Sequence, residues 1–68
     1  MKVFTFAQSA QWLGTTQENL RRMIDNAEVQ ALCTDDGRLF LDSESLYAAL
    51  VEYGDPARLH EFEFLIAN

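Results

Sequence analysis

The chain has little of the material that cross-links a fold, holds a metal or performs catalysis. Its 68 residues contain one cysteine, Cys33, so an internal disulfide cannot form. The single histidine, His60, has no second histidine or cysteine at metal-ligand spacing. Phosphate-binding glycine loops and nucleophile elbows are also missing. The sequence therefore predicts no metal, no cofactor and no enzymatic activity.

Long apolar runs are missing as well. No stretch approaches the length that spans a bilayer, and the amino terminus lacks a charged segment followed by a long apolar run. Together with the single cysteine, this predicts a protein of a reducing compartment, most simply the cytoplasm, with no membrane partner. Cys33 falls inside a predicted strand, where we expect it to be a small buried hydrophobic residue.

Positive charge is scarce and unevenly placed. Lysine and arginine total 5 against 11 aspartates and glutamates, which gives a net charge of -6. Residues 1–24 hold three basic residues and one acid, a net charge of +2, whereas residues 25–68 hold two basic residues and ten acids, a net charge of -8. Any surface that faces a polyanion is therefore expected on the first third of the chain.

What the chain does have is apolar residues for one small core. They make up 49% of the sequence and include five phenylalanines, which is too apolar for a disordered acidic tail. At this length, residues 1–68 are expected to form a single domain whose stability is marginal or helped by association.

The first helix is predicted from Phe6 to Leu13. Thr5 and Gln8 form a capping-box pattern before it, and Gly14 supplies the backbone freedom that ends it. Trp12 lies beside the apolar stripe of this helix, so we expect it to be half-buried.

A second helix is predicted over residues 17–26, after a short turn. Thr15 and Thr16 are both suitable caps. Leu20 and Met23 belong to its apolar stripe, and the remaining face turns outward. The outward residues are Gln17, Glu18, Arg21, Arg22 and Asp25.

A β-hairpin and a third helix follow. Residues 29–33 and 38–41 flank a turn that ends in Asp36-Gly37, and Asp-Gly between apolar runs is a strong hairpin signal. Asp42 or Ser43 then caps a helix that Gly54 closes.

Residues 55–68 form a C-terminal segment with two possible structures. Its apolar spacing favours a helix, whereas residues 61–64 alternate as an edge strand would. A terminus this apolar is expected either to complete the core or to form an interface with a second copy or a partner protein. The residues predicted for that interface are Leu59, Phe62, Phe64, Leu65 and Ile66.

One ordered set of residues covers residues 4–50. It comprises Thr5-Phe6, Ala10, Leu13-Gly14-Thr15-Thr16, Leu20 and Met23-Ile24, then the hairpin and Leu41-Asp42-Ser43-Glu44-Ser45-Leu46. This set resembles the excisionase/MerR-type winged-helix family. The resemblance implies a mainly α fold with a small β-hairpin, a winged helix-turn-helix of order α-α-β-β-α followed by the C-terminal segment.

The resemblance also implies a function. Members of the family are small phage, plasmid or bacterial DNA-binding proteins that act as recombination directionality factors or transcriptional regulators. Their second helix enters the major groove, and the hairpin, or wing, touches the neighbouring backbone or minor groove. For this chain that implies double-stranded DNA as the partner, bound by a homodimer or a cooperative oligomer.

Two positions depart from the family pattern. Ala27 stands where the family usually has glycine after the recognition helix, so we expect that turn to be made differently. The wing tip, commonly rich in arginine and lysine, carries Asp35 and Asp36 before Arg38. Carboxylates at that place would repel phosphates.

Residue chemistry selects the candidate DNA contacts. Gln17 can bind adenine through two hydrogen bonds, Arg21 can do the same with guanine, and both can bind phosphate. The alternative is a solvated helix face on which Glu18 pairs with Arg22. The predicted DNA-binding residues are Thr16, Gln17, Asn19, Arg21, Arg22 and Arg38.

The acidic excess supports a second hypothesis. The same fold could serve as a protein-interaction module for a basic protein, for example as a phage-encoded inhibitor, a DNA mimic or an antitoxin-like protein, because fold does not fix function. The acidic surface predicted for that case consists of Asp35, Asp36, Glu44, Glu52, Glu61 and Glu63.

Overall fold

Four helices and three short strands make up residues 2–67, the part of the chain that the computed structural model describes. The elements are β1 (Val3–Thr5), α1 (Phe6–Leu13), α2 (Gln17–Asp25), β2 (Leu32–Cys33), β3 (Leu39–Asp42), α3 (Ser43–Tyr53) and α4 (Pro56–Ala67). The described residues are therefore mainly helical with one small antiparallel sheet, as the sequence predicted.

The first helix has the predicted bounds and the predicted capping box. The Thr5 hydroxyl accepts a hydrogen bond from the Gln8 N–H at 3.1 Å, and the Gln8 side chain accepts one from the Thr5 N–H at 3.0 Å. These two bonds satisfy donors that the first turn of a helix leaves unpaired. Gly14 ends α1 in the left-handed conformation, at φ 67°.

The turn after α2, where the resemblance led us to expect a departure from the usual glycine turn, closes on Ala27. Ala27 adopts a left-handed conformation, at φ 61°. Its N–H bonds the carbonyl of Ile24 at 3.0 Å, and the N–H of Glu28 bonds the carbonyl of Met23 at 2.9 Å. This pair of bonds is the Schellman closure that glycine usually forms, and here an alanine forms it.

The hairpin is confirmed, but its first strand is shorter than predicted and a third strand joins it. β2 begins at Leu32, whereas residues 29–31 form a connection in which Val29 is buried. β1 pairs antiparallel with β3, opposing Phe4 to Leu41, so the strand order is β1-β3-β2. Three residues are too few for an alternation pattern, which explains why the sequence did not reveal β1.

The C-terminal segment is a helix, and its central side chain completes the core. Phe62 is 0% exposed, and its ring centroid lies 5.3 Å from that of Phe4 and 5.2 Å from that of Trp12. The edge-strand interpretation is therefore wrong, and Trp12 is half-buried as predicted. The buried apolar residues are Phe4, Ala10, Leu13, Leu20, Val29, Leu41, Leu46, Ala49, Leu50 and Phe62.

Two expectations about single side chains need correction. Cys33 is exposed rather than buried, because it lies on β2, an outer strand of the sheet. Phe62 belongs to the core and presents no surface to a partner.

Candidate nucleic-acid interface

The outward face of α2 carries the charged residues predicted to meet DNA. Arg21 and Arg22 are exposed, as is Gln17 one turn before Arg21. Arg21 Nε lies 3.3 Å from Asp25 Oδ1 in an ion pair whose two side chains are 62% and 61% exposed. The alternative pair of Glu18 with Arg22 is not formed among residues 2–67. Arg22 therefore keeps its charge available to a ligand.

Two of the predicted contacts, Thr16 and Asn19, hold the start of α2. Thr16 is the N-cap, and its hydroxyl accepts the Asn19 N–H at 3.0 Å. The Asn19 side-chain amide donates to the Thr15 hydroxyl at 2.8 Å and lies 3.8 Å from Met23 Sδ. Asn19 is half-buried, so its amide is committed to the fold, whereas the exposed Thr16 remains at the surface.

The hairpin closes through a three-residue loop. The Thr34 N–H bonds the Arg38 carbonyl at 2.9 Å, and the Gly37 N–H bonds the Thr34 carbonyl at 2.9 Å. Gly37 has φ 85°, the left-handed value with which such loops return to the second strand. The Asp-Gly signal therefore predicted the turn correctly.

Charge at the loop tip is partly neutralised within the loop. The Thr34 hydroxyl donates to Asp36, and this bond is the main reason why the pKa of that carboxyl lies below its usual value. Asp36 thus stays ionised, and its Oδ2 lies 3.4 Å from Arg38 Nε. The Arg38 side chain is 75% exposed, so solvent and ligands still reach it.

A groove of about 390 Å³ brings α2 and the hairpin together. Arg21 lines it from α2, and Arg38 lines it from the position just before β3. The sequence did not identify the groove, because its lining comes from the start of α1, from α2 and from the hairpin, which are distant in sequence. The lining residues are Thr5, Phe6, Ala7, Arg21, Gly37, Arg38, Leu39 and Phe40.

The acidic residues predicted to form one working surface are engaged in different places. Glu61 lies 3.9 Å from Arg58. Glu63 accepts a hydrogen bond from the Tyr47 hydroxyl at 2.9 Å, and this bond raises the pKa of Tyr47. Glu44 and Glu52 line separate cavities of about 210 and 640 Å³. These contacts divide the carboxylates among several local environments.

The apolar residues of the C-terminal segment divide between core and surface. Leu59 and Ile66 are half-buried against the core, next to the fully buried Phe62. Phe64 is 73% exposed and Leu65 is 38% exposed. Of the five residues predicted for an interface, these two present the most surface.

Residues 2–67 offer neither a metal-binding cluster nor a membrane-spanning helix. That part of the chain contains no group of three or more histidine, cysteine, aspartate or glutamate side chains that could hold a metal ion. Within it, no helix combines the length and the apolar character needed to cross a membrane.

Comparisons with known proteins give no family assignment. No protein-family model, curated protein or solved structure matches the chain. The resemblance to the excisionase/MerR-type family therefore rests on the residues and on the order of the elements, and membership stays a prediction.

Proposed function

We propose that this protein is a winged helix-turn-helix DNA-binding protein that acts as a transcriptional regulator or a recombination directionality factor. In this proposal α1 and α2 are the helix-turn-helix, β2 and β3 are the wing, and α2 enters the major groove. The observation that carries the proposal is the groove that both Arg21 of α2 and Arg38 of the hairpin line. One approaching duplex could contact both side chains.

The ion pair of Arg21 with Asp25 does not prevent Arg21 from binding DNA. Exposed pairs contribute only about 0.2–1 kcal/mol, and both Arg21 and Asp25 are more than half exposed. A phosphate or a guanine can therefore replace Asp25 as the partner of Arg21 at small cost. Arg22 needs no such exchange, because it has no ion pair among the described residues.

The hairpin is expected to contribute less. Arg38 must leave Asp36 to reach a phosphate, and Asp35 adds a repelling charge beside it. A single copy with so few basic contacts would bind weakly, since affinity for DNA rises with each phosphate neutralised. Binding as a homodimer or a cooperative oligomer is therefore part of the proposal.

The test is binding of a random-sequence duplex at low salt, where non-specific affinity is strongest. Wild type should bind, and its affinity should fall as salt is raised. Replacing two phosphate contacts in Arg21→Ala with Arg22→Ala should weaken binding at least about tenfold and flatten the log–log salt slope by about 1.8.

Lys2→Ala is the matched control for Arg22→Ala. Each removes one exposed positive charge from the first part of the chain, but Lys2 contacts the Leu65 carbonyl, at 3.3 Å, rather than the α2 surface. If Lys2→Ala and Arg22→Ala weaken binding equally, net charge rather than α2 governs it. Absence of binding by folded wild type would instead favour the acidic protein-interaction hypothesis.

A further inference from the structure

A second and larger groove lies between the segment after α2 and the exposed side of α3. Its volume is about 640 Å³, and it shares no lining residue with the groove of Arg21 and Arg38. Val29 and Ala49, which are both buried, contribute core atoms to it, and Val51 borders it with 56% of its surface exposed. The groove is thus an apolar depression that the described residues leave open.

Two carboxylates border this apolar surface. Glu28, from the segment after α2, and Glu52, from α3, both line the groove. Neither forms an ion pair with another described residue, although the Asn26 side chain donates to Glu28 at 3.4 Å. Negative charge here is therefore not balanced by a cation of the protein itself within residues 2–67.

Tyr53, the last residue of α3, lies near both carboxylates. Desolvation raises the pKa of its phenol, and the charges of Glu52 and Glu28, together with hydrogen bonds between the phenol and these carboxylates, raise it further. Both carboxylates therefore act on one side chain, although they come from different elements. Two negative charges at the edge of one apolar groove favour a ligand that carries both a cation and an apolar group.

We propose that this groove binds a basic segment of a different protein. The segment would place an apolar side chain against Val29 and Val51 and a lysine or arginine against Glu28 and Glu52. Only Glu52 belongs to the acidic surface predicted from the sequence, and the inference does not depend on DNA binding.

A second copy of this chain is a poor occupant, because it carries the same net charge of -6, which the carboxylates of the groove would repel. The exposed apolar residues of α4 follow Glu61 and Glu63, whose charges would meet those of the groove. Charge complementarity therefore selects a basic partner rather than self-association.

The experiment is an amide NMR titration at low salt with a short amphipathic helical peptide made of leucine and lysine. A second peptide with glutamate in place of lysine is the charge control. The expected result is binding of the basic peptide only, with chemical-shift changes concentrated on residues 27–30 and 47–53. Changes spread over all acidic regions, or no binding, would overturn the proposal.

Matched variants separate the groove from net charge. Glu28→Gln with Glu52→Gln should weaken peptide binding about tenfold, because it removes two ion pairs. Glu18→Gln with Glu44→Gln changes the net charge equally at exposed positions outside the groove and should have an effect of less than about twofold. Equal weakening by the two pairs would overturn the proposal, as would shift changes at residues 27–30 that depend on protein concentration without peptide.

Discussion

At the residue scale, Ala27 holds a backbone conformation that suits glycine better. A left-handed residue with a Cβ costs about 1–2 kcal/mol relative to an unstrained one, and Ala27 has φ 61° in the closure of α2. This turn directly follows the carboxyl end of α2, so the strain lies beside the surface proposed to meet DNA. The sequence showed an alanine at this place but not the conformation, because the two backbone bonds to Met23 and Ile24 impose it.

Ala27→Gly is therefore predicted to stabilise the protein. The free energy of unfolding should rise by about 1 kcal/mol, which for a domain of this size raises the melting temperature by about 4–8 °C. Thermal and urea unfolding monitored by circular dichroism measure both quantities. Ala48→Gly, at an exposed position inside α3, is the control and should lose about 0.5–1 kcal/mol. A loss of stability in both variants would contradict the strain at Ala27.

In the proposed DNA complex, the ion pair between Asp36 and Arg38 limits the contribution of the hairpin. Asp36→Asn removes the ion pair with Arg38 but keeps an oxygen that can accept the Thr34 hydroxyl. If Arg38 then contacts a phosphate, the salt slope of duplex binding should steepen by about 0.9 and the affinity should increase at low salt. Fluorescence anisotropy with a labelled duplex measures both.

The control for that prediction is Asp35→Asn. It changes the net charge by the same amount, but Asp35 has no ion pair with Arg38. Its salt slope should stay close to that of wild type. Identical slopes for the two variants would show that Arg38 gains nothing from losing Asp36.

At the element scale, local signals predicted the elements that depend on neighbouring residues and missed those that depend on distant ones. The capping box of Thr5 and the Asp36-Gly37 turn each act within a few residues, and α1 and the hairpin followed from them. β1 exists because Phe4 opposes Leu41 across the sheet, which no local pattern reveals. For α4 the apolar spacing favoured the helix that the structure shows, and what the sequence did not reveal is the packing of Phe62 against Phe4 and Trp12.

At the junction of β3 and α3, the cap residue Asp42 makes a pH-dependent contribution to the free energy of unfolding. Asp42 caps α3 through a 2.8 Å bond from the Ser45 N–H to its carboxylate, and this bond lowers the pKa of Asp42 below the usual 3.8. Because the folded-state pKa is the lower one, the ionised carboxylate stabilises the fold above pH 3.8, and this contribution is lost as the pH falls through the folded-state pKa.

Asp42→Asn tests the contribution of the Asp42 charge to stability, since asparagine is also a good cap but does not titrate. Wild type should be more stable than Asp42→Asn at neutral pH, and the difference should shrink once the pH falls below 3.8. Urea unfolding at a series of pH values measures the difference. A difference that stays constant over that series would show that the Asp42 charge does not stabilise α3.

At the scale of the whole molecule, charge and packing divide the protein into distinct surfaces. The sequence predicted that polyanion-facing charge belongs to the first part of the chain, and Arg21 and Arg22 are exposed there. It did not predict either groove, because each is assembled from segments distant in sequence. The C-terminal segment is joined to the core by Phe62, whose ring packs against Phe4 of β1 and Trp12 of α1.

In the proposed function, α2 and the hairpin form one DNA-binding surface. An amide NMR titration of the wild-type protein with a random-sequence duplex at low salt tests it most directly, because every described element has its own signals. The expected result is a set of chemical-shift changes concentrated on residues 17–22 and 36–38, while residues 28–30 and 47–52 stay unchanged. Changes confined to the second set, or none at all in a folded protein, would contradict it.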